Sequence, residues 1–349
     1  MDPTQHRSTA ELWRRTVRRS RLRVLMTALV TVVLVAAALL LPIPGVFMYL
    51  PGPVRDVERL VRVSDAHTYA SQGRLYMTTV SVDVGVTLAE VIEAAVDPHK
   101  QIVSERNVTG GRSLERVDEI QRRAMEDSKQ HAREVALAAL GFGSPKGDGV
   151  RVMSTRDGSP ADGELHAGDV IVAVQGAPVR TTCDVAAAIS RLEVGERVAL
   201  TVRSEGEGDR ATVVLRTARD ATTGRSYIGV EMADVNYSFD PGVDVNFITG
   251  EIAGPSAGLM FTLALYDRLT PDDLTAGRTI AGTGTIDCGG RVGPIGGVAQ
   301  KVAAAEANGA DVFLAPALNA LDAREAAGDI RVVSVSSFAD AIDYLQSAV

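Results

Sequence analysis

The stretch that decides the fold is Gly254-Pro255-Ser256-Ala257-Gly258, which leads directly into the apolar segment LMFTLALYDRL at 259–269. Proline is favoured at the first position of a helix, so the sequence predicts a helix over 255–269 with Ser256 in its first turn. The N–H groups of a first turn have no intrahelical partner and carry the positive end of the helix dipole. Such groups can stabilise an oxyanion. A serine at a helix start is, however, more often a simple cap.

A second glycine-rich segment is Gly293-Pro294-Ile295-Gly296-Gly297-Val298-Ala299-Gln300-Lys301, which leads into a helix that Gly309 ends. Lys301 is predicted to lie in the first turn of that helix. The chain has 36 basic residues, and Lys301 is the only lysine after Lys146. Arginine cannot lose its proton at a usable pH, whereas a desolvated lysine can act as a base. The presence of a lysine here, in a chain whose basic residues are mostly arginines, makes Lys301 a candidate general base.

Strand and helix patterns alternate through the block 226–349, which predicts an α/β (α+β) domain. The predicted strands are 228–235, 243–249, 279–287, 311–315 and 330–335, and the predicted helices are 255–269, 298–308, 320–327 and 337–347. None of the five histidines lies in this block. A Ser–His–Asp triad within it is therefore excluded, and a base for Ser256 must be of another type.

The sequences GPSAG and GPIGGVAQK, in this order, resemble the two active-site motifs of the Lon peptidase family. The resemblance covers about 120 residues and implies that Ser256 is the nucleophile and Lys301 its general base. Between them, the segment GTGTI resembles a strand of the family in which a threonine contacts the lysine, here Thr283. For acyl transfer by this pair, we expect the backbone N–H groups of Ala253 and Ser256 to hold the oxyanion.

The chain departs from the Lon pattern at two places. The family usually has Pro-Lys-Asp before GPSAG, where this chain has Glu251-Ile252-Ala253. The acidic residue that the family has after the matching threonine-glycine is Thr285 here. The first change alters the presumed oxyanion loop.

The pattern over residues 142–217 differs from that of the preceding segment and predicts short strands separated by glycine-rich turns. The sequence GSPADGELHAGDVIVAVQGAPV at 158–179 resembles a bacterial PDZ domain. Such domains bind an extended peptide as an added strand, often by its C-terminal carboxylate. We expect the groove between the strand near 143–153 and the helix near 184–192.

The segment Leu140-Gly141-Phe142-Gly143 looks like the carboxylate-binding loop of that family. It follows a helix predicted over 113–140. The alternative is that Gly141 only ends this helix, because glycine is common just after a helix C-terminus. The pattern favours the alternative.

The N-terminal part predicts a membrane anchor. Val24 to Leu41 is an uncharged run of 18 residues that would span roughly 27 Å as a helix, and the predicted transmembrane helix is 24–42. Seven arginines in the basic tail 1–23 predict a cytoplasmic N-terminus and an extracytoplasmic remainder. A cleaved signal peptide and a buried core helix are the alternatives. Residues 43–141 are interpreted as a mixed, partly helical packing or spacer segment.

Composition restricts the partners. The formal net charge is −8 and the pI is near 5.3, which argues against nucleic acid as a partner. The two cysteines, Cys183 and Cys288, lie in different predicted domains, so neither a disulfide framework nor a zinc site is expected. No phosphate-loop motif occurs in the 349 residues, so no ATPase and no cofactor are predicted.

The anchor, the PDZ-like domain 142–217 and the Lon-type domain 226–349 together resemble the YlbL-like family of membrane-bound PDZ–Lon proteins. The resemblance implies an ATP-independent, membrane-anchored serine endopeptidase whose catalytic domain lies outside the cytoplasm. It would cleave unfolded or membrane-proximal proteins, with the PDZ domain binding exposed chain ends, and a homo-oligomer is compatible with it. The alternative is a catalytically inactive, membrane-tethered PDZ/Lon-like scaffold or adaptor.

Overall fold

The structure is a computed structural model that describes residues 25–204, 210–221, 224–250 and 252–347. The predicted basic tail 1–23, Val24 of the predicted anchor and Glu251 of the departing motif lie outside the described residues. The chain divides into two compact units, the first formed by 1–50 with 81–112 and the second by 51–80 with 113–349.

The helices are α1 (25–39), α2 (Leu88–Ala94), α3 (Glu105–Thr109), α4 (Leu114–Ala139), α5 (Thr182–Ser190), α6 (Gly258–Leu269), α7 (Val298–Ala307), α8 (Ala320–Ala326) and α9 (Phe338–Ser347). The strands are β1 (Val46–Asp56), β2 (Val61–Ser64), β3 (Arg74–Asp83), β4 (Gln101–Ser104), β5 (Val150–Thr155), β6 (Val170–Val174), β7 (Ala177–Pro178), β8 (Arg197–Arg203), β9 (Arg210–Arg216), β10 (Ala218–Arg219), β11 (Ser226–Tyr227), β12 (Val230–Asp234), β13 (Asp244–Phe247), β14 (Thr279–Gly282), β15 (Thr285–Ile286), β16 (Val292–Gly293), β17 (Val312–Pro316) and β18 (Arg331–Val335).

The first unit contains α1 and a short antiparallel strand pair. The beginning of β1 pairs with β4, from Val46 opposite Ser104 to Tyr49 opposite Gln101. Helix α2 begins at a reciprocal capping box in which the Thr87 side chain and the Glu90 side chain each bond the other's backbone N–H. Within the described part of the chain, no helix is both long and apolar enough to cross a membrane. The predicted span 24–42 is therefore not confirmed.

The peptidase part of the second unit is built on a parallel sheet in the order β18-β17-β14-β3. Alternate residues of β14 point to opposite faces, so Ile280 joins a core with α4, α6 and α9, whereas Ala281 joins one with α7 and α8. This arrangement confirms the predicted α/β fold class. It also assigns α4 and β3, which precede the PDZ-like sequence, to the peptidase core rather than to a spacer.

Helix α6, which carries the first motif, is buried on all sides. Phe261, Leu263 and Leu265 are fully inaccessible to solvent, and burying each of them stabilises the fold by about 1.5–3 kcal/mol. The helix can approach its neighbours because Gly258 has no side chain. A Cβ on Gly258 would lie 2.7 Å from the Ser128 Oγ and 2.9 Å from the Ile286 backbone nitrogen.

The PDZ-like unit is inserted between α4 and β13. Its sheet has the order β12-β5-β6-β8-β9, with α5 packed against it, and β12 is an edge strand. Strand β5 is paired along 150–155 with β12 and at Val150 and Arg151 with β6. A peptide therefore cannot add to β5, and the groove expected beside residues 143–153 is wrong. The edge strand that packs beside α5 is β12, which comes from beyond the predicted end of the domain at residue 217.

The end of α4 decides between the two readings of Leu140–Gly143. Gly141 has φ +79°, its N–H donates to the Ala138 carbonyl at 3.1 Å, and the Phe142 N–H donates to the Leu137 carbonyl at 2.9 Å. These two bonds form a Schellman motif, so Gly141 ends the helix. The helix-cap alternative is confirmed.

The expectation that the cysteines stay unpaired is wrong. Cys183, the second residue of α5, forms a disulfide with Cys288, which lies in the turn between β15 and β16. The two Cα atoms are 5.6 Å apart. The sequence places these residues in different domains, and only the packing of that turn against α5 brings them together.

Substituting Gly258 by alanine tests the close approach of α6. We expect the free energy of unfolding to fall by about 1–3 kcal/mol, because the new methyl group meets backbone atoms that cannot move aside easily. Chemical denaturation measures the change. Gly296→Ala is the matched control, since a Cβ there meets no atom within 4 Å. Equal stability of the two variants would contradict the packing described.

Candidate active site

Ser256 sits in a loop that helix α4 holds in place. Gly254 has φ +95°, and its N–H donates to the Gln121 carbonyl at 3.0 Å. The Ser128 hydroxyl donates to the Pro255 carbonyl at 3.0 Å. Ser256 then follows within a 3-10 turn over Pro255–Ala257 that leads into α6. One hydrogen bond donated to α4 and one donated by it therefore hold the two residues that precede Ser256.

Lys301 approaches from the other side of the sheet. It is the fourth residue of α7, whose N-cap is Gly297 with φ +65°. Glycine is needed there both for this backbone conformation and because a Cβ would lie 2.6 Å from a methyl group of Val80. The Lys301 side chain is only 3% exposed, and its Nζ lies 2.9 Å from the Ser256 Oγ. The structure thus brings together the two residues that the sequence singled out.

Thr283 completes the contacts of the lysine. It follows directly after β14, is fully buried, and its Oγ1 accepts a hydrogen bond from the Lys301 Nζ at 2.9 Å. The same hydroxyl donates its proton to the Ser256 carbonyl at 3.1 Å. The Gly284 N–H donates to that carbonyl as well, at 2.8 Å. Thr283 therefore orients the amine and, with Gly284, fixes the main chain of the serine.

Burial changes the acidity of the lysine. Removal from water disfavours the charged ammonium and lowers the pKa of Lys301 from its usual 10.5 to about 8. Half of the molecules then carry a neutral amine at about pH 8. A neutral amine 2.9 Å from a hydroxyl can accept its proton, so the pair has the geometry and the acidity of a nucleophile and its base.

The remaining predicted site residues lie around this pair. Ala253 is exposed and Ser256 is half-buried, so the loop before the serine faces solvent. Thr285, at the position of the family's acidic residue, pairs with Gly293 in the β15–β16 hairpin. In the described part of the chain, no three histidine, cysteine or acidic side chains come close enough to hold a metal ion.

The contribution of α4 to the site was not predicted from the sequence. Gln121 and Ser128 hold the loop that carries Ser256, although they lie more than 120 residues before it. One signal was present in the sequence. Ser128 is 3% exposed and continues, three residues after Met125, the apolar face of the helix. A buried hydroxyl on such a face needs a hydrogen-bond partner, which here is the Pro255 carbonyl.

Two family models match consecutive segments of the chain. The model described as PDZ domain matches residues 123–215, and the model described as Lon protease (S16) C-terminal proteolytic domain matches residues 223–347. Curated relatives include a Lon protease of Roseiflexus castenholzii, 47% identical over 72 residues, and Lon protease 2 of Bacillus subtilis, 31% identical over 105 residues. These matches cover 21% and 30% of this chain, and 9% and 19% of those proteins.

Among the solved structures that match part of the chain is the PDZ domain of an SdrC-like protein from Listeria monocytogenes. It is 28% identical, with a TM-score of 0.23, and the match covers 24% of this chain and 87% of that one.

Fold, motifs and comparisons define the class of the C-terminal part, which is the proteolytic domain of a serine peptidase. Residues 223–347 match the Lon proteolytic domain, and together with the PDZ match they fit a PDZ–Lon proteolytic-domain protein with no ATPase module in the 349 residues. The matches span between 9% and 19% of the length of the curated relatives.

The pH dependence of Ser256 reactivity tests the state of Lys301. With a serine-reactive fluorophosphonate probe, we expect the labelling rate to rise with pH and to level off above a midpoint near pH 8, as the amine becomes neutral. In Thr283→Val the midpoint should move to lower pH, because an acceptor that favours the ammonium is removed, and the limiting rate should fall. A labelling rate that does not change from about pH 6 to about pH 10 would exclude Lys301 as the base.

Proposed function

We propose that this protein is an ATP-independent serine endopeptidase in which Ser256 is the nucleophile and Lys301 the general base. The observation that carries the proposal is the 2.9 Å distance from the buried Lys301 amine to the Ser256 hydroxyl. The 349 residues hold no histidine after His166. The imidazole of His131, in α4, contacts the Ile286 carbonyl through its Nδ1 at 3.2 Å, so the amine beside the Ser256 hydroxyl is the base that the site offers.

The proposed reaction is acyl transfer in two stages. The Ser256 Oγ forms a bond to the substrate carbonyl carbon while its proton passes to the Lys301 Nζ. The oxyanion then collapses, the bond from the carbonyl carbon to the leaving nitrogen breaks, and that nitrogen takes the proton from Lys301. In the second stage a water oxygen forms a bond to the carbonyl carbon of the acyl group while a water proton passes to the Lys301 Nζ. The bond from that carbon to the Ser256 Oγ then breaks, and the Oγ takes the proton from Lys301 as the new carboxyl end leaves. In this scheme the backbone N–H groups of Ala253 and Ser256 stabilise the oxyanion.

The proposed substrates are unfolded or membrane-proximal proteins with an exposed chain end. The 349 residues contain no phosphate loop, and therefore no ATP-driven domain that could unfold a substrate. A PDZ domain supplies a site for an extended segment, which suits a substrate that is already unfolded.

The proposed location is the outer side of a membrane, with residues 24–42 as the anchor. The uncharged run and the arginines before it support this placement. So does the exposure of Leu25, Leu29 and Leu34, each of which is more than 60% exposed. The disulfide points the same way, because disulfides persist mainly outside the cytoplasm.

Substitutions at the two proposed catalytic residues test the function. Cleavage of an unfolded protein such as casein, without nucleotide, should fall by roughly 10³-fold or more in Ser256→Ala and in Lys301→Arg. Arginine keeps the charge but stays protonated, so it cannot accept the proton. Lys146→Arg, at an exposed lysine outside the peptidase part, is the matched control and should keep full activity.

If the protein is instead a catalytically inactive scaffold, the opposite result is expected. There should then be no cleavage by the wild-type chain and no difference between the variants. Near-normal turnover by a folded Lys301→Arg protein would equally remove Lys301 from the mechanism.

Topology is tested on intact spheroplasts. Externally added trypsin should digest the bulk of the protein, because residues after the anchor lie outside. A cytoplasmic marker protein in the same sample is the control for intact cells. Full protection of the chain would contradict the proposed orientation.

A further inference from the structure

A groove of about 680 Å³ runs between β12 and α5 in the PDZ-like unit. One wall is the open edge of β12 with the residues that precede it, Ser226 to Gly229. The other wall is the α5 face that carries Val185 and Ile189. An unpaired strand edge beside an apolar helix face is the arrangement in which an extended peptide adds as a further strand.

The peptidase domain contributes one residue to this groove, Arg291. Arg291 lies just before β16, and its Nη1 donates a hydrogen bond to the Ser190 hydroxyl, on the last residue of α5. Its Nε donates to the Asp287 carboxylate at 2.8 Å. The turn 287–291 is therefore held to both ends of α5, at Ser190 by Arg291 and at Cys183 by the disulfide of Cys288.

The two contacts of Arg291 use two of the five N–H donors of its guanidinium. Its side chain is 31% exposed, in the wall of the groove. Arg156 and Arg225 also line the groove, and the carboxylates in the lining are Asp220 and Glu231. The Glu231 carboxylate accepts a hydrogen bond from the Ser154 hydroxyl at 2.8 Å. Beyond its bonds to Asp287 and Ser190, the guanidinium of Arg291 keeps three N–H donors, which suit a ligand that brings carboxylate oxygens.

We propose that Arg291 binds the C-terminal carboxylate of an extended peptide that pairs with the open edge of β12. The position fits, because Arg291 stands at the C-terminal end of α5, where Ile189 and Ile228 offer an apolar site for the last side chain. A guanidinium recognises a carboxylate through two parallel hydrogen bonds. The peptide site is thus completed by a residue of the catalytic domain and not by the PDZ-like unit alone.

This placement connects the groove to the nucleophile through one hairpin. Arg291 lies in the turn of the β15–β16 hairpin, and the same hairpin begins next to Gly284, whose N–H holds the Ser256 carbonyl. A peptide end bound at Arg291 therefore acts on the element that positions Ser256. This consequence rests on the proposed function, whereas binding at Arg291 does not.

Binding is tested with the full-length chain in detergent, carrying Ser256→Ala so that no peptide is cut. The probe is an array of decapeptides with varied last four residues, each made with a free C-terminal carboxylate and as the C-terminal amide. We expect the free acids to bind about tenfold or more tightly than their amides, because a charge-assisted hydrogen bond is lost in the amide. In Arg291→Gln the free acids and their amides should bind about equally tightly, whereas Arg291→Lys should retain part of the difference in affinity.

Arg203→Gln is the matched control, since Arg203 is an exposed arginine at the end of β8 outside the groove. Non-reducing mass spectrometry should find the Cys183–Cys288 bond in each variant, as a check of the fold. An unchanged acid-to-amide ratio in Arg291→Gln, or no binding of either form to the unsubstituted groove, would overturn the proposal.

A second measurement needs no substitution at Arg291. Phenylglyoxal modifies arginine side chains, and the extent at Arg291 can be read by mass spectrometry. Free-acid peptides should protect Arg291 while their amides do not, and equal protection by both would overturn the proposal.

With the unsubstituted enzyme, free-acid peptides should also change casein turnover. Absence of turnover alone would contradict the proposed function and leave the binding result standing.

Discussion

The buried amine of Lys301 is the constraint on which the rest of the site depends. An ammonium group that is 3% exposed is costly to keep charged, and burial lowers its pKa to about 8. Its two hydrogen-bond partners, the hydroxyls of Ser256 and Thr283, are neutral. They satisfy the polar atom without restoring the preference for the charged form that a carboxylate would give. The environment thus holds a lysine in place as a candidate base.

Three elements must converge for that arrangement to exist. Lys301 comes from α7, Thr283 from the end of β14, and Ser256 from the turn before α6. Each approach depends on a glycine that permits close contact, most clearly Gly258 against Ser128 and Gly297 against Val80. The glycines of the two motifs are therefore packing requirements of the site as much as turn formers.

The insertion of the PDZ-like unit between α4 and β13 places the groove beside β12 and α5 in the same compact unit as Ser256. The disulfide and Arg291 join α5 to the β15–β16 turn. A unit tied at two points cannot move independently of the hairpin to which it is tied. The proposed peptide site and the hairpin next to Ser256 are thereby joined by a disulfide and a hydrogen bond, in contrast to a PDZ domain on a flexible linker.

The sequence by itself determined the local elements and the chemistry. The helix after GPSAG, the helix after GPIGG and the alternating strands follow from proline, glycine and apolar periodicity, which act over a few residues. The scarcity of lysine and the missing histidines also pointed to Lys301 as the partner of Ser256 before any distance was known. These features are local or compositional, so they can be recognised without knowledge of the fold.

Only the tertiary structure decided which distant segments meet. It assigned α4 to the peptidase core, β12 to the edge of the PDZ-like sheet, and Cys183 to Cys288 across 105 residues of sequence. Such contacts depend on how helices and sheets pack, and the same local pattern is compatible with several packings. For that reason the contacts of Gln121 and Ser128 with the Ser256 loop, and the place of Arg291 in the groove, could be found only in three dimensions.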